Sequence, residues 1–181
     1  MKVKLTVPND LILGNTDAEF KFTLKEAKVV GEFVMGEIRE RTQAGKSVSG
    51  KRFASYKPSY LKYRQKHERR SRVNLTFTGA MLGSCNVRKA SLVNSGGSFG
   101  GFRVAIGPSA TQMPNYEGAG TRPPNNFIAY VLQYGTKHML PRPWLGLPKK
   151  GKVAKDVALI MGKMIEEKWK KGANKKTTFS N

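Results

Sequence analysis

Apolar residues recur every three or four positions in two long segments of the chain, the spacing that gathers side chains on one face of a helix. The first segment predicts a helix over residues 24–42. Thr23 stands before it with Glu26 three residues later, the capping-box arrangement, and Gly45 occupies a position typical of a helix end. The second segment predicts a helix over 151–172, with lysines opposite its apolar band.

Alternation of polar and apolar residues predicts strands elsewhere in the chain. Residues 1–7 alternate, and so does the stretch 86–93, which a glycine-rich turn separates from 101–106. The last two segments should pair as an antiparallel hairpin. We therefore predict an α+β fold: a small, mostly antiparallel sheet flanked by two long helices, with long extended loops.

Shorter patterns predict four further elements. Residues 58–67 form a candidate short helix with a proline in its first turn, and Thr78 begins a helical turn. Residues 127–134 are predicted to form an apolar helix that Gly135 ends, and three prolines should keep 139–148 extended.

A chain of 181 residues fits a single domain, which we place at 1–172. Two long loops interrupt it, a basic loop at 45–72 and a Pro/Gly-rich loop at 107–125. Such loops are expected to become ordered against neighbouring molecules. Residues 173–181 are predicted to be a mobile C-terminal tail.

The net charge of +21 changes this picture, because it favours association with polyanions or acidic protein surfaces. Much of the charge lies in residues 51–72, interleaved with tyrosines. That segment has two interpretations: a nucleic-acid-binding arm, or a basic arm that docks on an acidic subunit surface. No apolar run approaches the length of a membrane span or a signal peptide, so we expect a cytosolic product without membrane contact.

Candidate catalytic chemistry is sparse. Cys85 is the single cysteine and follows an apolar turn, so it is interpreted as a core residue. The two histidines, His67 and His138, stand in unrelated contexts, and no metal-ligand spacing occurs. The acidic residues lie mostly on helix faces with basic neighbours. We predict no enzyme activity, no catalytic residues, no metal and no cofactor.

Five short motifs occur in an order that resembles the tail-completion and virion-morphogenesis proteins of tailed bacteriophages, which join head to tail at the neck. They are the glycine loop at 49–53, YKPSY at 56–60, LTFTGAML at 75–82, AYVLQYGT at 129–136 and LPRPWLG at 140–146. The resemblance spans roughly residues 24–170. Gln-Tyr before the Gly-Thr pair departs from the family pattern, where an acidic residue often stands, and so does the long 107–125 insertion.

The resemblance implies a non-enzymatic virion subunit, made in the host cytoplasm, that forms a ring with copies of itself (a hexamer is expected). Connector or portal-side proteins and tail-tube proteins are the implied partners, and DNA contact through the basic surface stays open. The motif and interface candidates are Tyr56, Tyr60, Leu75, Thr78, Gly79, Leu82, Tyr130, Gly135, Thr136, Arg142, Pro143 and Trp144. The candidates for contact with a polyanion or acidic partner are Lys51, Arg52, Arg64, Arg69, Arg70 and Arg72.

Two alternatives remain open from the sequence. Trp144 and Arg142 are residue types that dominate interface energies, yet Trp144 equally suits the subunit's own core. The function is either that of a neck structural protein or that of a basic nucleic-acid-binding protein using residues 51–72.

Overall fold

The structure is a computed structural model that describes residues 3–4, 22–67, 73–75, 79–94, 100–109, 123–148 and 151–177. The elements in chain order are β1 (Val3–Lys4), α1 (Leu24–Gln43), α2 (Pro58–Lys66), α3 (Ala80–Gly83), β2 (Cys85–Asn94), β3 (Gly100–Pro108), α4 (Asn125–Tyr134) and α5 (Lys152–Thr177). Helices combined with one antiparallel sheet confirm the predicted α+β class.

Helix α1 begins and ends where the sequence predicts. The Thr23 hydroxyl accepts a hydrogen bond from the Glu26 amide at 3.2 Å, and the Glu26 carboxylate accepts one from the Thr23 amide at 2.7 Å. This reciprocal pair is the predicted capping box. Beyond the last turn, Gly45 has a φ of 75° and lets the chain leave the helix.

The sheet has the order β1-β3-β2, and both pairings are antiparallel. The β2–β3 ladder is the predicted hairpin, with a register irregularity between Val87 and Lys89. Of the predicted N-terminal strand, Val3 and Lys4 pair with β3, and residues 5–7 lie outside the described part of the chain. Helix α1 covers β2 and β3 with its apolar face.

Helix α5 packs on α1. Lys168 on α5 forms an ion pair with Glu26 in the first turn of α1 at 2.7 Å. The predicted end of this helix at Gly172 is wrong, because α5 continues to Thr177. The added residues are mostly alanine and lysine, which favour helix, and a single glycine costs only about 1 kcal/mol.

Residues 45–67 pack against their own chain, whereas the sequence analysis expected them to become ordered on a neighbour. Lys46 and Arg52 form an isolated β-bridge, and the Phe53 amide donates to the Gly45 carbonyl at 2.9 Å. Phe53 is buried in the core, and the predicted short helix follows as α2. Residues 68–72 and 110–122 of the two predicted loops lie outside the described residues.

Among the described residues, no helix is both long enough and apolar enough to cross a membrane.

Candidate functional site

The chain turns sharply after α4 and runs back beneath it. Gly135 has a φ of 76°, and its amide donates to the Val131 carbonyl at 2.8 Å. A Cβ at this position would lie 2.7 Å from the Met139 carbonyl oxygen and 2.8 Å from the Pro141 nitrogen, so only glycine fits the turn. The motif glycine predicted to end the helix therefore directs residues 140–148 under α4.

Trp144 anchors this returning segment inside the subunit. Its side chain is fully buried, and the indole nitrogen donates to the Ala129 carbonyl on α4 at 3.3 Å. The side-chain oxygen of Gln133 accepts hydrogen bonds from the amides of Trp144 and Leu145, both at 3.0 Å. Arg41 on α1 donates to the Trp144 carbonyl at 2.6 Å. Of the two alternatives that the sequence leaves open for Trp144, the structure shows the second, a residue of the subunit core.

Arg142 likewise connects separate segments of its own chain through hydrogen bonds. Only 3% of it is exposed, and its guanidinium group donates to the carbonyls of Ala54 and Ser55, each at 3.0 Å, and to that of Leu140 at 3.4 Å. Burial lowers the pKa of this guanidinium group, although nearby tyrosines oppose the shift. This candidate interface residue lies inside the subunit, where its donors hold the segment before α2 to the segment after α4.

Tyr56 lies between two arginines. The guanidinium carbons of Arg64 and Arg142 are 5.0 Å and 4.9 Å from its ring centroid, and each such contact is worth about 0.5–2 kcal/mol. Burial raises the pKa of the Tyr56 hydroxyl, with the two cations acting against it. Only 1% of Arg64 is exposed, so this candidate for contact with a polyanion or acidic partner lies inside the subunit and not on its open surface.

A row of tyrosine rings continues from this cluster along α2. The rings of Tyr56 and Tyr60 meet edge to face with centroids 5.0 Å apart, and those of Tyr60 and Tyr63 stack at 6.1 Å. Tyr60 and Tyr63 are exposed, whereas Tyr56 is buried.

These elements enclose a cleft between α2 and α4, with a volume of about 340 Å³. We call it the α2–α4 cleft. Its lining residues are Ser55, Tyr56, Lys57, Ser59, Tyr60, Arg64, Leu75, Ile128, Leu132, His138, Met139, Leu140 and Arg142. Four of them are motif candidates from the sequence, so the structure brings together residues that stand far apart in the chain.

The cleft is apolar on its walls and cationic at its floor and mouth. Lys57, Arg64 and Arg142 line it, and none of the residues that surround it in the described structure is acidic. Lys57 is also the N-cap of α2, whose first turn has no side-chain cap among the described residues. The positive end of this helix therefore faces the same space.

The remaining motif residues have separate local roles. Leu75 and Leu82 are buried in the core, and Gly79 adopts a φ of 80° at the start of α3. Thr136 pairs with Met139 in an isolated bridge. The Pro143 carbonyl accepts a hydrogen bond from the Val48 amide at 2.9 Å.

The five basic candidates other than Arg64 divide into two groups. Lys51 and Arg52 are exposed in the turn after α1, where a partner can reach them. Arg69, Arg70 and Arg72, together with the motif residue Thr78, lie outside the described residues.

Sequence reasoning missed the outer face of α4. Phe127, Tyr130 and Tyr134 are each more than half exposed, and the two tyrosine rings lie 4.8 Å apart. Of the three, only Tyr130 is a candidate from the sequence, although the spacing of the three residues is helical. Because α4 is apolar nearly all round, its sequence does not show which side the fold covers.

Groups with reactive chemistry are few in the described part of the chain. Burial raises the pKa of the Cys85 thiol to about 11, against its ordinary 9.0. No group of three or more histidine, cysteine, aspartate or glutamate side chains comes together there.

Comparison with known proteins finds no protein family, no curated protein and no solved structure that matches this chain.

Proposed function

We propose that this protein is a structural subunit of a phage virion, forming a ring at the neck or tail end, and that it performs no reaction. The order of its sequence motifs supports the class of protein. The observation that carries the proposal is the outer face of α4, an apolar surface that the described part of the subunit leaves exposed.

This face has the composition of an interface. Phe127, Tyr130 and Tyr134 are exposed on one side of a helix whose opposite side is fixed by Trp144. Tyrosine and phenylalanine are enriched at protein interfaces, and a contiguous exposed aromatic patch marks an interaction site in a folded protein. A sister subunit that covers this patch would form the interface that repeats around a ring.

The experiment compares oligomeric mass in solution. We expect the full chain to form rings, measured by light scattering after size exclusion and seen by negative-stain microscopy. Tyr130→Glu combined with Tyr134→Glu should leave a folded monomer, because two carboxylates would be buried without partners. Leu159→Glu, at an exposed leucine on α5, is the control and should keep the ring. A wild-type monomer that also stays out of particles assembled with connector and tail-tube proteins would refute the proposal.

The second candidate, a nucleic-acid-binding protein, is favoured by Lys51 and Arg52, which are exposed in one turn of a chain with net charge +21. It predicts tight binding of DNA or RNA that weakens steeply above about 0.15 M salt. Lys51→Glu combined with Arg52→Glu should then weaken retention on DNA and leave ring formation unchanged.

A further inference from the structure

We propose that the α2–α4 cleft is a docking site for a short acidic segment of a partner protein, inserted through one large apolar side chain. The inference rests on the proposed function only where it assumes that the partner is another protein of the virus particle. Binding itself follows from the shape and charge of the cleft.

The walls of the cleft suit an apolar side chain. Ile128 and Leu132 come from adjacent turns of α4, Tyr60 from α2, and Leu140 from the returning segment. The volume of about 340 Å³ lies near the lower end of the range for binding pockets, roughly 300–1,000 Å³. One large side chain with its flanking backbone fills such a space.

The positive charge at the floor of the cleft favours an anionic ligand. In the described part of the chain Arg142 contacts three carbonyl oxygens and the Tyr56 ring, and none of these is a carboxylate. A buried charge is costly unless an opposite charge accompanies it. A carboxylate delivered by a partner would supply that charge.

Two further groups at the mouth of the cleft can attract a carboxylate. Lys57 is exposed there and can pair with an acidic side chain. The first turn of α2 begins at the same place, and Ser59 and Tyr60 have amides that no preceding helical turn can satisfy. Acidic residues on either side of the inserted side chain would meet both groups.

A peptide fits these features better than a nucleic acid does. Phosphate backbones are held by exposed lysines and arginines along a groove, whereas Arg64 and Arg142 are almost fully buried. A side chain that enters the cleft can approach them, and a continuous phosphate backbone cannot.

The test uses fluorescein-labelled peptides and the full chain, with binding read by fluorescence polarisation. Each peptide carries a central Phe, Tyr, Trp or Leu, flanked by Asp and Glu in one set, Asn and Gln in a second and Lys in a third. We expect the acidic set to bind at least about tenfold more tightly than the neutral set, equivalent to about 1.4 kcal/mol. Labelled oligo-dT is measured alongside.

Leu140→Glu provides the cleft variant, and Leu159→Glu is its matched control, because each leucine is 62% exposed and neither is part of the core. Leu140→Glu should abolish binding of the acidic peptides, and Leu159→Glu should leave it unchanged. Equal binding of acidic and neutral peptides, no binding of any peptide, or insensitivity to Leu140→Glu would each overturn the proposal. Oligo-dT binding that Leu140→Glu abolishes would assign the cleft to nucleic acid instead. Because rings are measured separately with the Tyr130 and Tyr134 variant, loss of peptide binding and loss of assembly are distinguishable.

Discussion

Gly31 allows a close approach between α1 and the sheet, and Gly31→Ala tests that packing. A Cβ at this position would lie 2.6 Å from a γ-methyl of Val104 and 2.8 Å from a γ-methyl of Val87. Both distances are shorter than carbon atoms tolerate. Valine has little freedom at χ1, and Val104 is fully buried in the sheet, so its methyl cannot move aside without displacing its surroundings, whereas Val87 is only half-buried.

Two effects of opposite sign decide the outcome. Replacing a helical glycine by alanine stabilises a helix by about 0.8–1.0 kcal/mol. Overpacking a core by one methyl group costs about 1–3 kcal/mol. Their difference gives a net loss of up to about 2 kcal/mol in the free energy of unfolding. In a domain of this size each kcal/mol lowers the melting temperature by about 2–4 °C.

The same helix contains the control. A Cβ at Gly36 would meet no atom within 4 Å, so Gly36→Ala should show the helix gain alone. Urea unfolding followed by circular dichroism gives both free energies, with unchanged m-values if only the folded state is affected. Val104→Ala should relieve part of the cost of Gly31→Ala in the double variant. If the two glycine variants shift the urea midpoint equally, α1 does not approach the sheet as described.

Three further perturbations test other parts of the subunit. Gly135→Ala should destabilise the fold by about 1–3 kcal/mol from its backbone alone, because a φ of 76° with a ψ of −174° is a conformation that almost only glycine adopts, and by more from the Cβ that would lie 2.7 Å from a carbonyl oxygen, as thermal melting will show. Because burial raises the pKa of Cys85 to about 11, alkylation by iodoacetamide at about pH 8 should be far slower in the native protein than in urea; equal rates would contradict its burial. Burial acts to raise the pKa of Glu26, but hydrogen bonds from Lys168 and Thr23 outweigh it and lower the pKa. The stability that this carboxylate supplies is therefore complete above its ordinary pKa and lost as the pH falls through the lowered one. Urea unfolding of Glu26→Gln should accordingly lose less stability in acid than the wild type does, and parallel pH profiles would contradict the assignment.

Elements specified by local interactions were predictable from the sequence. The Thr23–Glu26 capping box, the helical period of α1 and the alternation on both sides of the hairpin all act within a few residues. Such signals are readable without knowledge of the rest of the fold. The end of α5 was predicted wrongly because glycine is common at helix ends, which favoured an end at Gly172. The lysine-rich residues after Gly172 do not stop the helix, and α5 continues to Thr177.

The roles of Arg142 and Trp144 were not predictable in the same way. Residue type made both strong interface candidates, because tryptophan and arginine dominate binding energies. The same properties, a large apolar surface and several hydrogen-bond donors, also suit a core cross-link. The partners that decide between them stand far away in sequence: Ala54 and Ser55 for Arg142, and Arg41 for Trp144.

The burial of these residues determines which surfaces are left for partners. With Trp144 holding the inner side of α4, the helix presents two separate surfaces: Ile128 and Leu132 face the cleft, and Tyr130 and Tyr134 face outward. Residues two positions apart on a helix point about 200° from each other, so one partner side chain cannot fill both surfaces. A sister subunit on the outer face and an acidic segment in the cleft can therefore bind at the same time. Loss of peptide binding in Leu140→Glu and loss of the ring in Tyr130→Glu with Tyr134→Glu should therefore be independent, because the substituted residues lie on separate surfaces.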